Sequence, residues 1–250
     1  MAPPMTAAQF IAALRAEGVK VSEVGTWRTH NRAGHGPWGP VHGVVIHHTV
    51  TKGTDLTVDL CRRGHASLPG PLCHGVIAKD GTVFLVGYGR ANHAGSGDGD
   101  VLAAVIAEAA VLPPANEADT DGNARFYGFE CENLGDGKDP WPAAQLLAIE
   151  RVSAAICRHH GWCERSVIGH LEWQPGKVDP KGFTMTSMRS RIAARLKPAP
   201  SVYVVKTGDT LWLIASALLG NGTRWPEISR LNGLKGDAIT VGQRLKIPKK

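Results

Sequence analysis

Apolar and polar residues recur with two different periods along this chain, and each period predicts a different kind of element. Residues 6–17 carry apolar side chains at helical spacing, and Thr6 is placed to cap this helix at its N-terminus. The apolar run Val44-Val45-Ile46 is typical of a buried strand. Residues 127–133 alternate between apolar and polar side chains, as a strand with one polar face does. The first half of the chain therefore combines helices and strands.

Two further patterns fill the region between those strands. Residues 55–66 have a helical pattern, with Thr54 as the expected N-cap. The apolar stretches 73–78 and 83–86 lie on either side of an Asp-Gly turn, which is typical of a β-hairpin. His74, within the first stretch, is expected to be a packed, hydrogen-bonded histidine.

The C-terminal part of the chain has a separate organisation. A helical pattern at 184–196 gives way to the segment 198–201, where two prolines predict a short, stiff and extended linker. Beyond it, the pattern predicts a strand, two helices and a closing strand. Asp209 or Thr210 is expected to cap the first of these helices. The sequence thus predicts a small module at 202–250.

Composition and charge narrow the possible classes of protein. With 43% hydrophobic and 20% charged residues among 250, the chain is expected to be a soluble globular protein. No stretch approaches the length of a membrane-spanning apolar segment, so membrane insertion is not expected. The formal net charge is +6, but Lys and Arg do not cluster with aromatic residues, so nucleic acid is not an expected partner. On electrostatic grounds, an anionic cell wall is as good a partner for a basic protein as nucleic acid is.

The five cysteines are Cys61, Cys73, Cys131, Cys157 and Cys163, and an odd number cannot all pair. Their spacing does not form the Cys-x-x-Cys motif of a structural zinc finger. Cys157 and Cys163 could pair if the chain turns between them. Most of the five are expected to be buried thiols, so the fold is not expected to depend on disulfides.

Two histidines and one aspartate from distant segments have the chemistry of a metal site. His47 directly follows the apolar run at 44–46, so a strand would hold its ring in place. Pro175, Gly176 and Pro180 predict that the segment from His170 to Asp179 forms a loop that can fold back onto one ion. Three such ligands with a fourth position open are typical of a catalytic zinc. Taken singly, His47 is better interpreted as a core histidine and Asp179 as a turn residue.

The motifs around these residues resemble those of the type 2 N-acetylmuramoyl-L-alanine amidases, a family that includes phage endolysins and peptidoglycan recognition proteins. They are His-His-Thr after a strand, Gly-His-x-Glu-x-x-Pro-Gly-Lys and a following Asp-Pro, and the resemblance covers roughly residues 25–197. It implies an α/β fold in which helices flank a central mixed β-sheet. It also implies zinc binding by His47, His170 and Asp179, a general base at Glu130, oxyanion stabilisation by Lys177 and substrate contact by His93.

Three features of the sequence are not explained by this resemblance. A tyrosine that assists catalysis in the family is replaced here by Cys73, so its role either moves elsewhere or is dispensable. Glu132, on the same face of its strand as Glu130, is expected to be a structural group or a support for the metal site. The helical segment 1–24 precedes the part of the chain that the resemblance covers.

The module at 202–250 resembles lysin-motif (LysM) domains. Its opening Tyr-x-Val-x-x-Gly-Asp-Thr-Leu-Trp-x-Ile-Ala, its Asn-Gly and its closing Val-Gly-Gln-Arg-Leu-Lys-Ile-Pro carry the resemblance, although the loop at 219–224 is longer than usual. A small βααβ fold that binds glycan containing N-acetylglucosamine is implied. The implied contacts are Asp209, Thr210 and Asn232, for which capping and turn formation are alternative roles that can coexist with binding.

These expectations together predict a zinc-dependent N-acetylmuramoyl-L-alanine amidase that acts on peptidoglycan as a monomeric phage endolysin, anchored to the wall by LysM. Residues 1–10 lack the basic and apolar regions of a secretory signal. The expected location is therefore the host cytoplasm, until a separate membrane-permeabilising protein gives access to the wall. The alternatives are a non-catalytic peptidoglycan receptor, a bacterial autolysin, and a cysteine peptidase built on Cys131 or Cys73.

Overall fold

A computed structural model describes residues 2–197 and 201–248, which belong to two compact units, Met1–Leu196 and Lys197–Lys250. The predicted linker at 198–201 lies outside the described residues except for Ser201, which begins a strand. Among the described residues, no helix is both long and apolar enough to cross a membrane. The α-helices are α1 (Ala7–Ala16), α2 (Thr54–Arg63), α3 (Gly99–Ile106), α4 (Ala143–His160), α5 (His170–Trp173), α6 (Met185–Leu196), α7 (Leu211–Leu219) and α8 (Trp225–Leu231).

Six of the strands form the central sheet of the larger unit, and the others form three two-stranded ladders. The strands are β1 (Val21–Glu23), β2 (Gly43–His48), β3 (Gly64–His65), β4 (Leu68–Pro69), β5 (Gly75–Ile77), β6 (Val83–Leu85), β7 (Ser96–Gly97), β8 (Thr120–Asp121), β9 (Phe126–Cys131), β10 (Val167–Gly169), β11 (Ser201–Val204) and β12 (Arg244–Ile247).

The central sheet is mixed, and its strand order is β1-β6-β5-β9-β2-β10. Strands β5 and β6 pair antiparallel, as the predicted hairpin requires, whereas the other neighbours pair parallel. Strands β5, β9, β2 and β10 therefore all end at the same edge. In sheets of this kind, the carboxyl ends of parallel strands are where functional groups collect.

Both faces of the central sheet are covered, which explains why every residue of β2 is buried. Successive side chains of a strand point to opposite faces. Val44 and Ile46 join the larger hydrophobic cluster, to which α1, α4 and α6 contribute. Val45 joins a smaller cluster with Val105 of α3 and with Trp173. The predicted α/β fold with a mixed sheet flanked by helices is confirmed.

The N-terminal segment begins with the predicted helix. Thr6 caps α1 in a capping box: its hydroxyl accepts a hydrogen bond from Gln9 N (3.2 Å), and Gln9 Oε1 accepts one from Thr6 N (2.8 Å). The segment 1–24 is not entirely helical, however, because β1 within it pairs in parallel with β6. A strand of three residues is too short to show a period in the sequence.

Helix α2 differs from its prediction at both ends. Its N-cap is Gly53, and Thr54 is already helical. The helix ends at Arg63, because Gly64 adopts a positive φ of 70° and the chain turns into β3. A Cβ at Gly64 would lie 2.2 Å from the Leu68 carbonyl oxygen, so this turn requires glycine.

The smaller unit has the predicted order of strand, helix, helix and strand. Strands β11 and β12 pair antiparallel, and Thr210 caps α7 by accepting a hydrogen bond from Leu213 N (3.1 Å). The longer loop between the helices contains a single 3-10 turn at Gly222–Arg224. Gly222 packs against the Trp212 indole so closely that a Cβ would lie 2.3 Å from the ring. This unit has a hydrophobic core of its own.

Candidate metal centre

The register of three neighbouring strands brings the predicted site residues together. His47 is the fifth residue of β2, and its Cα partner on β9 is Glu130. On the other side of β2, Ile46 pairs with Gly169 of β10, so His170 follows β10 at the level of His47. The backbone pairing alone therefore places two histidines and a glutamate from distant segments at one edge of the sheet.

Asp179 completes a compact cluster with the two histidines. The distances are 3.0 Å from His47 Nδ1 to His170 Nδ1, 3.2 Å from His47 Nδ1 to Asp179 Oδ2 and 3.1 Å from His170 Nδ1 to Asp179 Oδ2. Tetrahedral zinc with ligands at about 2.0–2.1 Å keeps its ligand atoms about 3.3 Å apart. The three donor atoms thus have the mutual spacing that such an ion requires.

The far side of each histidine ring is also held. His170 Nε2 lies 3.0 Å from Gln174 Oε1, and His47 Nε2 lies 3.2 Å from His93 Nδ1. Metal-binding histidines in proteins generally have such a partner on the nitrogen that faces away from the ion. Gln174 was not identified from the sequence, although it lies four residues after His170, directly past the end of the short helix α5.

His93 occupies a different place from the one predicted. It was expected to contact substrate, but it is buried behind His47, and its Nε2 is hydrogen-bonded to the Phe126 carbonyl (3.1 Å). Both ring nitrogens are therefore engaged within the protein. The loop that carries His93 places this ring against the buried His47, which sequence order alone does not reveal.

Burial and hydrogen bonding set the charges of the ligand cluster. Burial lowers the pKa of His47 to about 4, so its ring is neutral at pH 7. Burial alone would raise the pKa of Asp179, but the adjacent His170 and His47 rings outweigh it and hold this pKa well below its usual range. An unprotonated ring nitrogen and an ionised carboxylate are the forms that bind a cation.

Glu130 stands beside this cluster in an unusual state. Burial, together with the negative charge of Asp179, raises the pKa of Glu130 to about 8. Its Oε2 atom is buried and has no hydrogen-bond partner among the described residues. A buried carboxyl oxygen that is neither paired nor hydrogen-bonded is costly, and such groups concentrate at functional sites.

The other two charged residues of the predicted site have contrasting positions. Lys177 is exposed, and its positive charge lowers the pKa of both Glu130 and His47, so the ammonium group acts on the cluster from the solvent side. Glu132 is buried and accepts hydrogen bonds from Gly53 N (2.9 Å) and the Thr54 hydroxyl (2.7 Å). Glu132 therefore fixes the start of α2, which is the structural role expected for it.

Two further residues hold the segments that carry the predicted ligands. Both stand in the motifs quoted above, but this role was not identified from the sequence. His48 Nδ1 accepts a hydrogen bond from Lys181 N (3.1 Å), which ties the chain just after Asp179 to the end of β2. Glu172 accepts a hydrogen bond from Gly169 N (3.0 Å) and forms a bidentate ion pair with Arg189 of α6. His170 thus lies on a turn that is anchored on both sides.

The cysteines take no part in this site. All five are free thiols, and Cys157 donates a hydrogen bond to the Cys163 carbonyl (3.4 Å) instead of forming a disulfide. Burial raises the pKa of Cys131 well above its usual value, which suppresses the thiolate that a cysteine peptidase needs. Cys73 is completely buried in a separate apolar cluster. His74 next to it is the hydrogen-bonded core histidine that was expected.

The smaller unit contains a cavity of about 240 Å³ at the N-terminus of α7. Asp209 and Thr210 line it, together with Trp212 and Trp225, which were not singled out from the sequence. Asn232 is placed differently: its amide group exchanges hydrogen bonds with the backbone of Lys246 on β12 (both 2.8 Å). Asn232 therefore clamps the closing strand, and the two tryptophans supply the aromatic surface of the cavity.

Comparison with known protein families gives two matches along the chain. The profile of the N-acetylmuramoyl-L-alanine amidase family matches residues 37–182, which is more than half of the sequence. The profile of the LysM domain matches residues 203–248. Among curated proteins, a 64-residue stretch is 39% identical to the uncharacterized protein YqbP of Bacillus subtilis (strain 168), covering 21% of this chain. The match spans 29% of the length of that relative.

Several solved structures are similar to this chain. The endolysin N-acetylmuramoyl-L-alanine amidase LysCS from Clostridium intestinale URNW has 19% identity and a TM-score of 0.45, over 69% of this chain and 95% of its own. AmpDh3 from Pseudomonas aeruginosa, in complex with anhydromuramic pentapeptide, has 18% identity and a TM-score of 0.45, over 80% and 75%. The hydrolase AmiA of Staphylococcus aureus, in complex with its ligand, has 10% identity and a TM-score of 0.48, over 78% and 93%.

Proposed function

This chain belongs to the N-acetylmuramoyl-L-alanine amidase family and carries a C-terminal LysM domain, and on that premise we propose that it is a zinc-dependent peptidoglycan hydrolase. The bond cut is the amide between the lactyl group of N-acetylmuramic acid and L-alanine of the stem peptide. The observation that carries this proposal is the cluster of His47, His170 and Asp179, whose donor atoms lie within 4.8 Å of one another.

The donor set suits zinc better than a harder cation. Two imidazole nitrogens and one carboxylate are ligands that zinc accepts in catalytic sites, whereas calcium and magnesium prefer oxygen alone. Three protein ligands leave a fourth position for water or substrate. Zinc, when bound, lowers the pKa of a water molecule and polarises the scissile carbonyl.

Glu130 is the group that we assign to proton transfer. The carboxylate takes a proton from the attacking water and later delivers it to the departing amine of L-alanine. Burial raises the pKa of Glu130 above that of an ordinary glutamate, which brings it closer to neutral pH, where a group that both accepts and returns a proton works best. Its position as the Cα partner of His47 keeps this carboxylate beside the ligand cluster throughout the reaction.

Lys177 stabilises the negative charge that develops on the carbonyl oxygen in the tetrahedral intermediate. The exposed ammonium group lies on the solvent side of the cluster, from which substrate must arrive, and its charge already acts on Glu130 and His47. The residue before His74 is Cys73, so the position of the family's assisting tyrosine carries no phenol here. In this proposal Lys177 provides the stabilisation.

The LysM domain is the proposed wall anchor. The cavity lined by Asp209, Thr210, Trp212 and Trp225 offers aromatic faces beside polar groups, a combination that suits a sugar with an N-acetyl group. A single LysM repeat binds modestly, but tethering it to the catalytic domain raises the local concentration of substrate. We propose N-acetylglucosamine-containing glycan as its ligand.

An endolysin role follows from this pairing of a wall-degrading domain with a wall anchor, and an autolysin would share the same chemistry. Expression of the chain in the cytoplasm of a susceptible Gram-positive bacterium separates the two. An endolysin lyses the cells only when a membrane-permeabilising protein is co-expressed. Lysis without such a protein favours an autolysin that reaches the wall by itself.

The test of the enzymatic proposal joins metal content to product identity. The purified chain is expected to bind one zinc ion and to release the stem peptide with a free L-alanine amine from a defined muropeptide, as detected by mass analysis. His47→Ala is expected to lose zinc and activity together, because two ligands hold the ion poorly. His35→Ala, at an exposed histidine, serves as the control. Full activity of a zinc-free His47→Ala protein refutes the proposal, and zinc binding without cleavage by the unaltered chain favours a non-catalytic receptor.

A further inference from the structure

We propose that His93 is a positioning residue, held by Gly128 and Asn123, that fixes the tautomer and direction of the His47 ring and so raises the affinity of the site for zinc. This inference rests on the proposed function, because it concerns the same metal site. It gives His93 a role that the sequence did not suggest, and it adds two residues that touch neither substrate nor the ligand atoms.

The hydrogen-bond donors in the series Phe126, His93 and His47 can be assigned by starting from Phe126. The Phe126 carbonyl oxygen can only accept, so His93 Nε2, 3.1 Å away, carries the hydrogen. A neutral imidazole carries a single ring hydrogen, so with that hydrogen on Nε2 the Nδ1 of His93 is an acceptor. The nitrogen 3.2 Å from it, His47 Nε2, is therefore the donor. The lone pair of the His47 ring must then lie on Nδ1, which faces His170 and Asp179.

The His93 ring packs against strand β9 at Gly128, in the space that a side chain at this position would fill. A Cβ at Gly128 would lie 2.3 Å from His93 Nδ1 and 2.5 Å from its Cγ, a separation that real Cβ atoms do not show. The strand cannot withdraw easily, because Gly128 N donates to His74 Nδ1 (2.9 Å) and His74 Nε2 is hydrogen-bonded to the Gly89 carbonyl (2.9 Å). Only glycine at 128 leaves the ring where it can reach His47.

The loop that carries His93 is fixed by one buried amide. Asn123 Oδ1 accepts hydrogen bonds from three successive backbone amides, those of His93 (2.9 Å), Ala94 (2.8 Å) and Gly95 (3.2 Å). Trp173 Nε1 also donates to the Ala94 carbonyl (2.8 Å), which links this loop to the segment of Gln174. The partner of His47 is thus held by hydrogen bonds that also reach Trp173, the residue before the partner of His170.

The expected size of the effect follows from metal sites in general. Loss of the group that supports a ligand histidine costs about 10- to 100-fold in metal affinity. His93→Leu, which removes both hydrogen bonds, is expected to weaken zinc binding by about that factor. Gly128→Ala is expected to do the same with His93 intact, because the new methyl group displaces the ring. His93→Gln keeps an acceptor and a donor, so it is expected to recover most of the affinity.

The experiment measures the zinc dissociation constant of the full chain by competition with a chelator, and the visible absorption of the cobalt-loaded protein, which reports the geometry around the ion. Controls are His35→Leu and Gly34→Ala, an exposed histidine and a glycine with open space around it. Circular dichroism of each metal-free variant verifies folding. If His93→Leu does not fold, Gly128→Ala and His93→Gln decide the question.

The positioning role is overturned if folded His93→Leu or Gly128→Ala binds zinc as tightly as the unaltered chain with an unchanged cobalt spectrum. It is equally overturned if His93→Gln is as weak as His93→Leu, because rescue then fails. These results differ from failure of the proposed function, in which the unaltered chain itself binds no zinc or releases no amine.

Discussion

At the scale of single residues, the role proposed for Glu130 separates metal binding from turnover. Its carboxylate is not one of the three clustered donors, yet it lies opposite His47 in the sheet. Glu130→Gln is therefore expected to retain zinc but to hydrolyse muropeptides more slowly by roughly 100-fold or more, as loss of a general base implies. Steady-state rates and zinc content of the same preparation check this, with Glu117→Gln at an exposed position as the control. An unchanged rate would assign proton transfer to another group.

The proposed ligands and the residues that hold them differ in how far the sequence reveals them. His47, His170 and Asp179 each lie in a short motif that resembles a motif of the family, so they could be named without a structure. Gln174 and Asn123 have no such motif, because their partners are set by how distant segments meet. His93 was named from the sequence, but as a residue that contacts substrate. Its contact with His47 joins residues 46 positions apart, and it is possible because glycine at 128 has no side chain.

At the scale of elements, the pairing of α5 with α6 stabilises the turn that carries His170. Glu172 and Arg189 form two hydrogen bonds of 2.8 Å, and both side chains are 19% exposed. Glu172→Gln is expected to lower the free energy of unfolding by about 1–3 kcal/mol, since it weakens a largely buried charged pair and the bond to Gly169 N. Urea unfolding of the metal-free protein measures this change.

The matched control for Glu172→Gln is a solvent-exposed ion pair. Asp59 and Arg63 of α2 lie 2.7 Å apart, but their side chains are 55% and 71% exposed. Asp59→Asn is expected to change stability by less than about 0.5 kcal/mol, as solvent screens such pairs. Equal losses in the two variants would mean that the α5–α6 contact adds nothing beyond an ordinary surface charge.

Elements with enough residues to show a period were predictable, and the short ones were not. Helices α1 and α6 and strand β2 follow directly from their patterns. Strands β1 and β10 have three residues each, too few for a period, yet β10 sets the level of His170 beside His47. The sequence therefore predicted that a site exists but not the register that assembles it.

At the scale of the whole molecule, each unit has its own hydrophobic cluster, so each is expected to fold alone. A chain ending at Lys197 is expected to bind zinc and to cleave soluble muropeptides at near-native rate, because the predicted catalytic residues precede residue 180. Its rate on intact walls is expected to fall, since the tether is lost. Turbidity assays on walls, beside product release from muropeptides, compare the two substrates.

The complementary fragment tests the anchor. Residues 202–250 are expected to sediment with purified walls, to be displaced by chitin oligomers and to cleave nothing. Trp212→Ala in this fragment removes an aromatic face of its cavity and is expected to weaken sedimentation. A fragment that folds but binds neither walls nor chitin oligomers would contradict the anchoring role.

The distance along the chain between the clustered donors has a consequence for how long the protein survives. His47 and His170 are 123 positions apart, and the five cysteines are all free. An ion held by both segments acts as a reversible cross-link, which restricts the unfolded chain over that loop much as a disulfide would. Metal supply would then govern resistance to heat and proteases as well as turnover, and a metal-poor environment would shorten the life of the enzyme and end its activity together.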